Sequence, residues 1–156
     1  MTLRTVDLFA GCGGLSLGFQ KEKYNIVAAF ELWDAAVKCY KENFSHSVYQ
    51  TDLSNVDEAV KIIRELKPDI IIAGKRIEAD RASLTDSYAK IICAIKPRAF
   101  VMENVDRARK SNAYAMAREE FKKAGYGLTE IVLDASLCGT PQKRKRFICF
   151  GMQNKE

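Results

Sequence analysis

The amino-acid sequence predicts an α/β fold in which a doubly wound, mostly parallel β-sheet carries helices on both faces. Short apolar runs that are typical of buried strands alternate with segments whose apolar residues recur at helical spacing. Glycine or proline marks most of the junctions between them. This alternating order favours a parallel sheet covered by helices, and 156 residues suffice for one domain with its own hydrophobic core.

The first half of the chain supplies four predicted strands and three predicted helices. A glycine-rich turn separates the first strand from the first helix. Pro68 ends the third helix, in which Val56, Val60 and Ile63 recur at helical spacing. The predicted strands are residues 5–9, residues 26–30, a short stretch before Asp52 and residues 69–73, and the predicted helices are residues 15–19, 33–44 and 54–66.

The second half of the chain continues the alternation and then ends in β-structure. Pro97 and Gly125 end the two helices predicted there. The predicted helices are residues 84–95 and 113–123, and the predicted strands are residues 99–102, 128–133 and 146–150.

The composition indicates a soluble globular protein. Hydrophobic residues make up 47% and charged residues 29% of the chain. No apolar run approaches the roughly 20 residues that a membrane span needs. Residues 1–5 lead directly into the first strand and leave no room for a signal peptide. We therefore expect a cytoplasmic protein without a membrane partner.

The cysteine, histidine and charged residues indicate which kinds of site and partner to expect. The five cysteines are scattered, none forms a C-x-x-C pair, and His46 is the only histidine, so we expect neither a zinc site nor a disulfide framework. The net charge of +5 permits a polyanionic partner. Basic residues cluster at positions 107–110 and 143–146.

Polar or aromatic residues follow three successive strands, where ligands bind in such sheets. The glycine-rich turn at residues 11–14 allows close backbone approach to a ligand, and the helix start after it favours an anion. Glu31 could hold ribose hydroxyls, Trp33 could stack on adenine, and Asp52 could receive an amino group. Each also has a purely structural interpretation: a solvated acid, a core aromatic and a helix N-cap, respectively. Together they favour an adenosine site.

The segment DLFAGCGGLSLGF, residues 7–19, resembles the first signature motif of the cytosine-5 DNA methyltransferases. The resemblance implies a Rossmann-like S-adenosylmethionine-dependent methyltransferase fold with S-adenosyl-L-methionine as cofactor. It implies that Glu31 holds the ribose, Trp33 packs on the adenine and Asp52 contacts the adenine amino group. The candidate cofactor-binding residues are Asp7, Phe9, Ala10, Gly11, Cys12, Gly13, Gly14, Leu15, Glu31, Leu32, Trp33, Asp52 and Leu53.

Two further segments resemble signatures of this family, in the family's order. Glu103-Asn104-Val105, after the strand predicted at residues 99–102, matches its E-N-V motif, and QKRKR at residues 142–146 matches its Q-x-R-x-R motif. By resemblance, Glu103 stabilises the activated cytosine beside N3 and handles its proton. Arg146, or less directly Arg144, supports charge that develops at O2. The implied partner is double-stranded DNA with a flipped cytosine.

The nucleophilic cysteine of the family's Pro-Cys motif is missing from the sequence. The strand that it should follow runs from Gly74 directly into Lys75 and Arg76, as if about ten residues of a loop had been excised near 74–75. The loop could be omitted from the sequence, deleted by design or naturally absent. Cys138 is the least implausible substitute, although a small structural role suits it better.

We expect residues 1–156 to form one S-adenosylmethionine-binding catalytic domain without a target-recognition domain, which a second subunit could supply. The first hypothesis is a DNA cytosine-5 methyltransferase of a restriction–modification system. An inactive cofactor- or DNA-binding subunit of a split methyltransferase is the second. A relative that methylates cytosine-5 in tRNA is the third, because that branch shares these motifs.

Overall fold

The computed structural model describes residues 2–74 and 81–154, apart from the side chains of residues 81–83. The described strands are β1 (Arg4–Leu8), β2 (Asn25–Glu31), β3 (Ser47–Gln50), β4 (Ile70–Gly74), β5 (Ala99–Val105), β6 (Tyr126–Asp134) and β7 (Lys145–Gln153). The described helices are α1 (Gly14–Lys21), α2 (Asp34–Asn43), α3 (Val56–Leu66), α4 (Arg81–Ile95) and α5 (Asn112–Lys123).

These strands form a single sheet in the order β3-β2-β1-β4-β5-β7-β6. The pairs among β1 to β5 are parallel, whereas β7 pairs antiparallel with both β5 and β6. The predicted doubly wound, mostly parallel sheet is confirmed. The strand order reverses between β1 and β4, and ligands bind beyond the carboxyl ends of the strands at such a point.

Helices cover both faces of the sheet because side chains of successive strand residues point to opposite faces. Val6 and Leu8 of β1 belong to the main core with residues of α3, α4 and α5. On the other face, Leu15 and Phe19 of α1 pack against β2 and β4, and Tyr40 of α2 packs beside them.

One boundary was predicted wrongly in a way that matters for the site. The predicted strand at residues 99–102 is too short, because β7 pairs with β5 as far as Val105 opposite Arg146. Glu103 therefore lies within β5 and not after it. The sequence also did not predict two short 3-10 helices, Asp106–Lys110 and Ala135–Cys138.

Two other expectations concern a membrane span and the excised loop. In the part of the chain that the structure describes, no helix is both long enough and apolar enough to span a membrane. Lys75 and Arg76, the proposed far end of a shortened loop, lie outside the described residues.

Candidate cofactor and active site

The glycine-rich turn begins where β1 ends and reverses the chain into α1. Phe9, Gly11 and Gly13 all have positive φ, of 55°, 57° and 91°. A Cβ atom on Gly13 would lie 2.2 Å from Cε2 of Phe44 and 2.9 Å from Cε2 of Tyr40. Only glycine fits this position, because both the backbone angle and the space exclude a side chain.

Glu31 joins this turn to the end of β2. Its Oε2 accepts a hydrogen bond from the backbone N–H of Gly11 at 2.8 Å, and its Oε1 accepts from Leu32 and Trp33 at 2.9 Å each. A carboxylate offers about four acceptor positions. Backbone N–H groups of the described residues thus occupy three of these positions, and about one acceptor position remains for a ligand hydroxyl.

A cavity of about 430 Å³ opens at the tips of β1, β2 and β3. This volume lies in the range of small-molecule sites. Six predicted cofactor-binding residues line it together: Phe9, Glu31, Leu32, Trp33, Asp52 and Leu53. Four other residues that line the cavity were not predicted from the sequence: Asp34, Gln50, Thr51 and Leu84. Gln50 and Thr51 could have been predicted as lining residues because they lie at the end of a predicted strand. Nothing in the sequence indicated that Leu84 would line the cavity.

Large apolar side chains at the cavity remain open to solvent. Trp33 is 52% exposed and Leu32 is 57% exposed. Trp33 is therefore not the core aromatic of the alternative interpretation. Asp52 is not the helix N-cap of the alternative interpretation, because Asn55 is the N-cap of α3. Asp52 instead accepts a hydrogen bond from the backbone N–H of Ser54 at 2.9 Å. These groups leave the cavity with an aromatic face and carboxylates around it.

The remaining predicted cofactor-binding residues build the turn beneath the cavity. Asp7 is fully buried, and Ala10 packs with Tyr40. Cys12 is exposed, Gly14 begins α1, and Leu15 of α1 lies about 3.9 Å from a Cβ built on Gly74.

The predicted catalytic glutamate and arginine meet across two strands. Nε of Arg146 lies 2.7 Å from Oε1 of Glu103, and the two side chains are 23% and 22% exposed. The antiparallel pairing of β5 with β7 places them there. Arg144, in contrast, is exposed on the segment before β7, where its backbone N–H donates to Asp134.

Glu103 does not line the large cavity but lies at a smaller one that adjoins it. A second, small cavity is lined by Phe9, Ala73, Leu84, Thr85, Tyr88, Met102 and Glu103. Phe9 and Leu84 line both cavities. The arrangement can therefore hold one ligand beside Glu31 and Asp52, and it places Glu103 at a small neighbouring cavity of about 10 Å³ that shares Phe9 and Leu84.

The end of β4 also borders Glu103. Gly74 pairs with Glu103 in the sheet, and a Cβ on Gly74 would lie 3.6 Å from Oε2 of that glutamate. A loop inserted after Gly74 would start close to this carboxylate, and a cysteine in such a loop could therefore lie near Glu103. Cys138 and Cys149 are not in an equivalent position: Cys138 lies in the exposed helix Ala135–Cys138, and Cys149 lies in β7, where burial raises the pKa of its thiol to about 11.

The described residues contain no group of three or more histidine, cysteine, aspartate or glutamate side chains that could hold a metal ion.

Comparison with known proteins identifies the family. The model of the C-5 cytosine-specific DNA methylase family matches residues 3–156. The chain is 48% identical to the Type II methyltransferase M.HindV of Haemophilus influenzae, and the match covers 99% of this chain and 54% of the relative. It is 46% identical to the Type II methyltransferase M.HgiDI of Herpetosiphon aurantiacus, over 96% of this chain and 52% of the relative. The chain thus spans about half the length of these curated relatives.

Solved structures give the same picture of the fold. A putative DNA modification methyltransferase encoded within an E. coli prophage superposes with a TM-score of 0.84 at 26% identity, over 97% of this chain and 47% of that one. The S. pombe Dnmt2 methyltransferase superposes with a TM-score of 0.88 at 20% identity, over 100% of this chain and 51% of that one. The Rossmann-like methyltransferase fold is confirmed, and the chain belongs to the C-5 cytosine-specific DNA methylase family.

Proposed function

We propose that the protein transfers a methyl group from S-adenosylmethionine to C5 of cytosine in DNA, as the modification enzyme of a restriction–modification system. Membership of the family and the Type II methyltransferases among its relatives support this substrate and context. One observation carries the proposal: Phe9 and Leu84 line both the large cavity beside Glu31 and the small cavity, of about 10 Å³, beside Glu103. A methyl donor and a methyl acceptor need to be adjacent in this way.

The residues of the large cavity suit the adenosine part of the cofactor. The remaining acceptor position of Glu31 suits a ribose hydroxyl, the half-exposed ring of Trp33 at the cavity suits the adenine ring, and the carboxylate of Asp52 suits its amino group. When bound, S-adenosylmethionine supplies an electrophilic methyl group on a sulfonium. The residues of this chain bind it and orient it toward Glu103.

Glu103 and Arg146 suit the target cytosine. Glu103 can hold a proton beside N3 and the 4-amino group, and Arg146 keeps this carboxylate in place through the 2.7 Å contact. The guanidinium also supplies positive charge where the ring becomes electron-rich. The base must be turned out of the duplex to reach them.

Methyl transfer by this route also needs a cysteine thiolate that adds to C6 of the base. The alignment with M.HindV spans 165 positions whereas the chain has 156 residues, so at least nine aligned positions have no residue here. This number agrees with the roughly ten residues of a loop that the sequence appears to lack after Gly74. We therefore assign the missing nucleophile to that loop.

Calorimetric titration of S-adenosylmethionine into the purified protein tests the cofactor site. We expect saturable binding that Glu31→Ala weakens by about 10- to 100-fold, since hydrogen bonds to a charged group contribute about 1.5–3 kcal/mol. Glu65→Ala is the matched control, because Glu65 is exposed on α3. Equal affinities in the two variants would remove Glu31 from the cofactor site.

A second candidate function is a catalytically inactive cofactor-binding subunit, which the absence of a Pro-Cys motif favours. Peptide sequencing by mass spectrometry across Gly74 separates the two. The methyltransferase requires extra residues with a cysteine between Gly74 and Lys75. The inactive subunit requires that these two residues be directly joined and that no methyl group be transferred to DNA from labelled cofactor.

A further inference from the structure

Asp7 is a buried carboxyl group beneath the cofactor turn that the proposed chemistry does not use. Its side chain is fully buried on the sheet face that α1 and α2 cover. Ser16 donates a hydrogen bond to Oδ2 at 2.6 Å, whereas Oδ1 is buried and has no hydrogen-bond partner among the described residues. An unpaired buried acceptor is costly, and more so when it is charged.

A chain of hydrogen bonds connects this carboxyl group to the outer layer of the fold. The Tyr40 hydroxyl donates to Oγ of Ser16 at 2.7 Å and lies 2.6 Å from Nε2 of His46, which is half-buried. Since the single hydroxyl proton of Tyr40 points to Ser16, Nε2 of His46 must donate in this arrangement. If Asp7 holds a proton and donates it to Ser16, every bond in the chain reverses, and His46 accepts at Nε2.

This series of hydrogen bonds connects the two ends of the cofactor turn. Asp7 lies in β1 before the turn, and Ser16 lies in α1 after it. Tyr40 packs directly over Gly13, at 2.9 Å from the position of a Cβ there. These hydrogen bonds therefore connect the two ends of the turn that we assign to the cofactor.

The surroundings of Asp7 disfavour its negative charge. Burial raises the pKa of Asp7 to about 7, and the negative charge of Glu31 acts in the same direction. Among the described residues, Tyr40 and Tyr88 also interact electrostatically with Asp7, and neither is a cation. A positive charge that arrives near the turn would favour the ionised form.

We propose that Asp7 is a positioning residue of the cofactor turn which loses its proton when the positively charged cofactor binds, and that Ser16, Tyr40 and His46 reverse their hydrogen bonds with it. This inference depends on the proposed function, because S-adenosylmethionine carries a sulfonium charge. The protons balance: each hydrogen-bond donor passes its proton along the series from Asp7 to Nε2 of His46, Nδ1 of His46 loses one proton to solvent, and no covalent bond to carbon changes. S-adenosylhomocysteine lacks the sulfonium charge and should favour this release less.

Calorimetry in two buffers of different ionisation enthalpy, phosphate and Tris, measures the proton release. At pH 7 we expect S-adenosylmethionine to release more protons from the wild-type protein than from Asp7→Asn. S-adenosylhomocysteine should show a smaller difference. Proton release by the ligand's own amino group cancels in this comparison. As the pH increases toward 7, the affinity of the wild type for S-adenosylmethionine should increase by up to about tenfold per pH unit. The affinity of Asp7→Asn should increase less over the same range.

A second measurement keeps the proposal testable if Asp7→Asn does not fold. Nitrogen NMR of His46, the only histidine, reports which ring nitrogen carries the proton. We expect cofactor binding to shift the wild type toward the Nε2–H form and to leave Tyr40→Phe unchanged, because that variant lacks the connecting hydroxyl. An unchanged His46 tautomer in the wild type would overturn the relay.

The outcomes separate this inference from the function on which it depends. If S-adenosylmethionine does not bind at all, the proposed function fails and takes the inference with it. If it binds with equal proton release in the wild type and in Asp7→Asn, the cofactor site stands and the role of Asp7 is refuted.

Discussion

At the scale of single residues, the site depends on carboxylates that the fold keeps in different environments. Glu31 accepts hydrogen bonds from three backbone N–H groups, Glu103 is paired with Arg146, and Asp7 is buried with no cation among the interacting groups of the described residues. The same functional group is thus suited to holding a ligand, to handling a proton or to titrating near neutral pH.

Glu103→Gln should slow methyl transfer in the complete enzyme by about 100-fold or more, because a positioned acid–base group typically contributes 10²–10⁴. Cofactor affinity should stay within about twofold, since Glu103 lies across Phe9 and Leu84 from the large cavity. Single-turnover kinetics with labelled cofactor measure the first effect and calorimetry the second. Glu119→Gln, exposed on α5, is the control, and wild-type turnover of Glu103→Gln would exclude Glu103 from the mechanism.

Asp7→Asn should change how stability depends on pH in the absence of cofactor. The pKa of Asp7 is about 7 in the folded protein and 3.8 as its ordinary value. Between these values the folded state keeps a proton that the unfolded state loses, so this group makes stability fall as pH rises from about 4 to about 7. Urea unfolding at pH 5 and pH 8 should show a smaller loss in Asp7→Asn. Identical losses in both proteins would contradict the buried titration.

At the scale of elements, the glycine-rich turn and α1 act as one unit that rests on α2. Gly13 has φ 91° and no room for a Cβ, whereas Gly18, within α1, has nothing within 4 Å of a built Cβ. Two glycines of one motif therefore have opposite structural requirements.

Gly13→Ala should destabilise the protein by about 2–5 kcal/mol, from left-handed backbone strain and overlap with Phe44. Gly18→Ala should instead stabilise it by about 0.5–1 kcal/mol, because alanine is the better helix former and meets no atom. Denaturant unfolding compares them. A Gly13→Ala protein as stable as the wild type would show that α2 does not pack on the turn as described.

The elements also show what a sequence can and cannot predict. Strand and helix order followed from apolar periodicity and from glycine and proline positions, which are local signals. The extension of β5 through Glu103 was missed because it depends on pairing with β7, far along the chain. The Asp7–Ser16–Tyr40–His46 chain was missed for the same reason, since it joins side chains of separate elements.

At the scale of the whole molecule, the sheet reversal between β1 and β4 brings the two halves of the site together. Tips of β1, β2 and β3 form the large cavity, and those of β4, β5 and β7 surround Glu103. The sequence predicted six of the residues that line the large cavity, because strand ends in a parallel sheet converge. It could not predict Leu84, which α4 brings in through tertiary packing.

The central claim is that S-adenosylmethionine binds in the cavity at the tips of β1, β2 and β3. Trp33 is the only tryptophan of the chain, is half-exposed and lines that cavity, so its fluorescence reports occupancy directly. Titration with S-adenosylmethionine should change the Trp33 emission saturably, with the same dissociation constant that calorimetry gives. Calorimetric binding that leaves the Trp33 emission unchanged would place the cofactor elsewhere and contradict the account.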